Sequence, residues 1–199
     1  MNRTLASGSF SAFDPRGTTA QGEQLSVSEE TALLRGDVLT QTRSHSTGGA
    51  AVTARMYLPM ARAEVWKGLT DYSRWVKYFP ALTHSQVLER STSLARRGKR
   101  QLYQAAGCAF LCFSARVEVY LTAIETLHRR IQFHFERGTF NDFAAELTLD
   151  DCEAGTLLTY SVRATPSIPV PSFLLQQVIE LAFPDNLRQM RQMLCESAR

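Results

Sequence analysis

No stretch of this sequence approaches the roughly 18 consecutive apolar residues that a membrane-spanning helix needs, so any membrane contact is expected to be peripheral. A dominant charge is also missing. The 22 Lys and Arg against 19 Asp and Glu leave +3, which gives no reason to expect a polyanionic partner such as DNA. Cysteine is sparse, and Cys108, Cys112, Cys152 and Cys195 form no CxxC pair and have no histidine at ligand spacing, which argues against zinc or an iron–sulfur cluster. On a strand, Cys108 and Cys112 would share a face about 13 Å apart, beyond disulfide reach, so reduced thiols are expected. GxSxG, HExxH and a Gly-rich phosphate loop are all absent. His45, His84, His128 and His134 are scattered among loops, turns and polar strand faces, so neither a triad nor a metal site is expected. The sequence therefore assigns no catalytic residue, no metal and no cofactor. The N-terminus lacks the apolar core of a signal peptide, which points to the cytoplasm. The Ser/Thr/Gly-rich start reads as a tail, with an organellar transit segment, plastid in a eukaryote, as the alternative.

What is present is enough apolar material, 44%, for one sizeable core. Residues 1–30 read as a disordered tail and 31–199 as one domain. From Leu33 to Arg43, through the break "SHSTGG" and on to Leu58, the pattern is two extended segments around a turn. Ala61, Val65, Trp66 and Leu69 then recur at helical spacing. "LTDYSRWVKYFP" follows as a second short helix closed by Pro80, with Asp71 as its expected N-cap. Beyond it the period falls to 2. "THSQVLER", "KRQLYQAAG", "FSARVEVYLTAIE", "RRIQFHFERG", "DFAAELTLD" and "GTLLTYSVRA" read as successive antiparallel strands, separated by "RRGK", "TLH", "GTFN" and "CEAG".

Pro166, Pro169 and Pro171 stiffen the approach to a long C-terminal helix. Its apolar stripe, Leu174, Val178 and Leu181, then Leu187, Met190 and Leu194, must lie on the apolar sheet face, and Pro184 should kink it. A curved sheet gripping a helix leaves an apolar space between them, the default ligand site for such a shape. Its expected walls are Phe133, Phe135, Phe143, Leu158 and Tyr160 from the sheet and Phe173, Leu174 and Val178 from the helix. Tyr103, Gln104 and Tyr160 are the polar groups expected to orient a guest. Trp75, Tyr78 and Phe79 are candidates for a gate over the cavity mouth, balanced against plain packing of a short helix. The basic run "ARRGKR" reads as a solvated hairpin tip, with an anionic-headgroup or RNA patch as the alternative.

The segments "EVWKGLTDYSRWVKYFPALTHSQVLER", "QLYQAAG", "FSARVEVYL", "IQFHFERGTFNDFAAELTL" and "GTLLTYSVRATPSIPVPSFLLQQVIELAFPDNLRQMRQ" resemble the polyketide cyclase/dehydrase, or coenzyme Q-binding, branch of the START-like (Bet v 1-like, SRPBCC) superfamily. The nearest likeness is to its cyanobacterial and plastid-type subgroup. The resemblance runs from about Val52 to Gln192 and implies an α+β helix-grip fold: a curved antiparallel sheet around a long C-terminal helix, with two short helices after the first core strand. Three positions differ from the family's usual pattern: Thr139 for Asp, Ala145 for Gly and Leu147 for Trp. They bear on pocket volume and polarity. Because this superfold hosts many functions, the resemblance specifies fold more than activity.

The function expected is a carrier or chaperone for a hydrophobic small molecule such as a lipid, isoprenoid quinone, polyketide or pigment. The alternatives are an aromatase/cyclase acting on a poly-keto chain, which needs two or more titratable groups converging in the cavity, and a module that docks on a protein, ribosome or membrane.

Overall fold

In a computed structural model of the chain, residues 25–46, 48–88, 98–110, 113–167, 170 and 178–197 are described. The first element among the described residues is a helix, α1 (Val27–Arg35), where the sequence suggested the end of a tail and the start of an extended segment. A capping box starts it: the Ser26 hydroxyl accepts from the Glu29 N–H at 3.3 Å, and the Ser26 N–H donates to the Glu29 carboxylate at 2.9 Å. Gly36, at φ 101°, ends it in a left-handed cap that few other residues adopt cheaply. Leu33 anchors α1 in the interior, and Leu33 to Arg35 are helical rather than extended.

β1 (Val38–Ser44) and β2 (Ala50–Leu58) form the expected hairpin, followed by α2 (Arg62–Thr70), a single 3-10 turn (Tyr72–Arg74) and α3 (Trp75–Tyr78). Asp71 precedes the 3-10 turn as expected, but its side chain makes no capping bond. Six strands complete the sheet: β3 (Leu82–Val87), β4 (Lys99–Phe110), β5 (Phe113–Thr126), β6 (Arg130–Gly138), β7 (Phe140–Cys152) and β8 (Gly155–Pro166). All pairings are antiparallel, in the order β1-β2-β8-β7-β6-β5-β4-β3, so the first hairpin joins the meander through β8. The turns at "TLH", "GTFN" and "CEAG" fall where the sequence placed them, while the first half of "RRGK" and of the basic run "ARRGKR" lies outside the described residues. His128 and Glu153 take left-handed φ of 56° and 49° in the β5–β6 and β7–β8 turns.

Strand alternation divides the sheet into two faces. Met56, Leu58, Leu102, Leu121, Ile131, Phe133, Leu147, Leu149 and Leu158 are buried on one, and the opposite face carries residues such as Arg116, Glu118 and Glu146. The apolar face receives the C-terminal helix, α4 (Phe183–Ser197), through Leu187, Met190 and Leu194, all buried. Fully burying each such side chain contributes about 1.5–3 kcal/mol. A π-helical turn, Val178–Ala182, precedes α4. It sits just before Pro184, which has no N–H for the usual helical bond, and such sites are where helices widen and bend. Of the described part of the expected stripe, Leu187, Met190 and Leu194 are gripped, whereas Val178 is 49% and Leu181 61% exposed.

Candidate ligand pocket

The aromatic segment after α2 has a structural task first. α2 ends with carbonyls that have no partner in their own helix. The Trp75 indole N–H donates to Leu69 O at 2.9 Å and the Tyr78 hydroxyl to Gly68 O at 3.1 Å, so both tips cap α2. Trp75 is 3% exposed and Tyr78 fully buried. As gate candidates, Trp75 and Tyr78 are therefore corrected to core residues, held inside because their polar atoms find backbone partners there. Phe79 alone of the three is half-buried.

Phe79 belongs to a run of aromatic rings that crosses the interior. Phe133 meets Trp75 at 5.3 Å between centroids, Trp75 meets Phe79 at 5.7 Å, and Phe79 meets Tyr160 at 6.4 Å. Tyr160 then stacks on Phe183 of α4 at 5.6 Å. At the end of the sheet where β6 turns into β7 and β8 leaves it, Phe135, Phe140, Phe143 and Val162 are only half-buried, as are Phe79, Leu82 and Phe183. At the opposite end Leu58, Leu102, Ile131, Leu149 and Leu158 are sealed. The interior is closed at one pole and left with uncovered apolar surface at the other.

The polar candidates separate clearly. Tyr103 and Gln104 are neighbours on β4, so their side chains point to opposite faces. Gln104 is interior and donates to the Ser85 hydroxyl at 3.2 Å, which itself donates to Tyr72 O at 2.6 Å. Tyr103, expected in the cavity, lies instead on the outer face, against Tyr120 at 5.0 Å and accepting from Arg116 at 3.3 Å. The Tyr72 hydroxyl donates to Glu125 at 2.8 Å, and Arg100 pairs with the same carboxylate at 3.4 Å. Burial, then the Glu125 charge, pushes the Tyr72 phenol pKa well above its ordinary value.

Tyr160 differs from all of these. It is 6% exposed, and burial raises its pKa strongly, yet its hydroxyl has no hydrogen-bond partner among the described residues. No enclosed side-chain polar atom among those residues lacks a partner, so this hydroxyl opens onto space that a water-sized group can reach.

Of the other expected wall residues, Phe133 and Leu158 are in the packed core, and Phe135 and Phe143 at the half-open pole. Val178 is largely exposed on the π-helical turn rather than set against the sheet, and Phe173 and Leu174 lie outside the described residues. Phe183 and Val162 were not anticipated. Phe183 was legible, since it stands four residues before Leu187 on the same stripe as Met190 and Leu194. Two polar surface clefts, of about 470 and 610 Å³, contain none of the expected site residues.

A single antiparallel sheet closed over a C-terminal helix, with short helices between its second and third strands, defines the helix-grip class of α+β proteins. Residues 58–191 match the model of a family described as "Polyketide cyclase / dehydrase and lipid transport", and the chain belongs to that family. Among solved structures it is similar to a STAR-related lipid transfer protein fragment from Xanthomonas axonopodis, with 17% identity and a TM-score of 0.57, covering 78% of this chain and 98% of that one. It is similar to a START superfamily protein from Mycobacterium smegmatis, with 12% identity and a TM-score of 0.58, covering 82% and 100%. The Zhui aromatase/cyclase from Streptomyces sp. R1128 gives 16% identity and a TM-score of 0.50, covering 79% and 86%. At these identities the structural likeness shows a shared fold and nothing more. A comparison with curated protein sequences finds no match.

Proposed function

We propose that this domain binds a hydrophobic small molecule between the sheet and α4, as a carrier or chaperone rather than as an enzyme. The observation that carries the reading is the half-open pole: partly buried Phe79, Phe135, Phe143, Val162 and Phe183, with Phe79 and Phe183 against Tyr160, whose hydroxyl has no hydrogen-bond partner among the described residues. A core with no guest to accommodate would bury those rings, because each gains from leaving water. Covering about 300 Å² of apolar guest supplies on the order of 7 kcal/mol at ~25 cal/mol/Å² before ordering costs, enough for micromolar affinity. The family's description and the lipid-transfer name of one structural relative support the same reading. A cyclase would need two converging titratable groups. Among the described residues of the helix-facing surface, Arg100 and Glu125 are paired with each other and Tyr72, which leaves Tyr160 alone.

The test is native mass spectrometry of the purified protein for a co-purified guest, together with titration of the neutral fluorophore N-phenyl-1-naphthylamine. The expected result is an apolar guest or micromolar fluorophore binding, lost in Val162→Trp while the protein stays folded. A folded wild type that carries no guest and binds no fluorophore overturns the reading.

A further inference from the structure

The chemistry of the guest's polar end can be read from what the interior offers it. Among the described residues, the other interior polar tips near the aromatic run are already engaged: Tyr72 on Glu125, Trp75 on Leu69 O, Tyr78 on Gly68 O, Ser85 on Tyr72 O and Gln104 on Ser85. Tyr160 is more than nine-tenths buried as a residue, beside Phe79 and Phe183, and its hydroxyl has no hydrogen-bond partner among the described residues. Among the described residues, the charged groups nearest this region are already paired: Arg100 with Glu125 at 3.4 Å on the helix-facing surface, and His45 with Asp142 at the half-open pole.

A carboxylate or ammonium brought to this position would lose its hydration and meet no counter-charge, a cost far larger than one hydrogen bond returns. An uncharged carbonyl loses little and gains a donor. Burial keeps the phenol protonated across the physiological range, so the donor is always present.

We propose that Tyr160 is the specificity-determining group of the pocket and that the guest is an uncharged hydrophobic molecule whose hydrogen-bond acceptor, a ketone or similar oxygen, meets the Tyr160 hydroxyl; ionised lipids such as fatty acids are excluded. This rests on the pocket reading above.

The test displaces bound N-phenyl-1-naphthylamine with three guests of one chain length at pH 8: tetradecane, 2-tetradecanone and tetradecanoate. The ketone is expected to displace the probe at about three- to tenfold lower concentration than the alkane, the worth of one neutral hydrogen bond. Tetradecanoate should be the weakest of the three. Tyr160→Phe should bring the ketone to the level of the alkane. Probe binding with tetradecanoate preferred over the ketone, or with a ketone-to-alkane ratio of one in the wild type, overturns the proposal and leaves the pocket standing. The wild-type ratio needs no variant, so a poorly folded Tyr160→Phe does not protect the idea. Failure of the probe to bind wild-type protein removes the pocket itself, and this proposal with it.

Discussion

The indole N–H of Trp75 donates to the carbonyl of Leu69 at 2.9 Å, tying α3 to the last turn of the helix before it. Trp75→Phe keeps a ring against Phe133 but leaves that buried carbonyl without its donor. A loss of about 1–3 kcal/mol is expected from the orphaned group, with some addition for lost volume. Urea denaturation followed by far-UV circular dichroism measures it; an unchanged midpoint would show that the bond contributes nothing.

The two halves of the C-terminal helical segment should respond differently to truncation. Leu187 is fully buried against the sheet, whereas Leu181 is 61% exposed on the π-helical turn. Leu187→Ala is expected to cost about 2–5 kcal/mol, and Leu181→Ala to stay within about 0.5 kcal/mol. Equal losses in thermal unfolding would mean that the first half of the segment is gripped as well.

Stability should fall in alkali. Burial raises the phenol pKa of both Tyr72 and Tyr160 above the ordinary value near 10, with Glu125 adding to the effect at Tyr72. Above that pH the unfolded chain releases protons that the folded chain retains, so νU is smaller than νN and the slope of stability against pH is negative. The contribution is complete below about pH 10 and then declines by up to about 1.4 kcal/mol per pH unit for each tyrosine. Melting temperatures between pH 8 and 11 should show the fall, and Tyr160→Phe should make it shallower. A flat profile would contradict the burial of these hydroxyls.

Gly138 joins β6 to β7 at φ 150°, and a Cβ there would stand 2.2 Å from the Glu118 carbonyl oxygen. Gly138→Ala therefore meets both backbone strain and a backbone collision, and a loss of about 2 kcal/mol or more is expected. Thr139 beside it accepts from Glu118 N–H at 3.0 Å and donates to Glu118 O at 3.2 Å. Thr139→Val should cost about 1 kcal/mol, the milder of the two. Chemical denaturation of the pair tests the ranking, and the reverse order would show that the junction relaxes.

Much of the architecture was open to reading because its signals are local. Alternation in "ARVEVYL" and "RIQFHFE", with Gly, Asn and His in the turns, announces strands and hairpins one residue at a time. The start of α1 is equally local, since Ser26 and Glu29 stand at capping-box spacing. So is the separation of Tyr103 from Gln104, because neighbours on a strand cannot both face the core.

The sequence by itself determined the periodicities, the turns and hence the sheet and the helix laid on it, because these follow from backbone geometry and from which side chains avoid water. Only the tertiary structure decided which aromatic tips are occupied. Trp75 and Tyr78 are satisfied by α2 carbonyls six and ten residues back, brought near by the reversal of the chain, while Tyr160 reaches no partner among the described residues. A hydrogen bond depends on where two atoms come to rest, and composition and spacing along a strand do not carry that information.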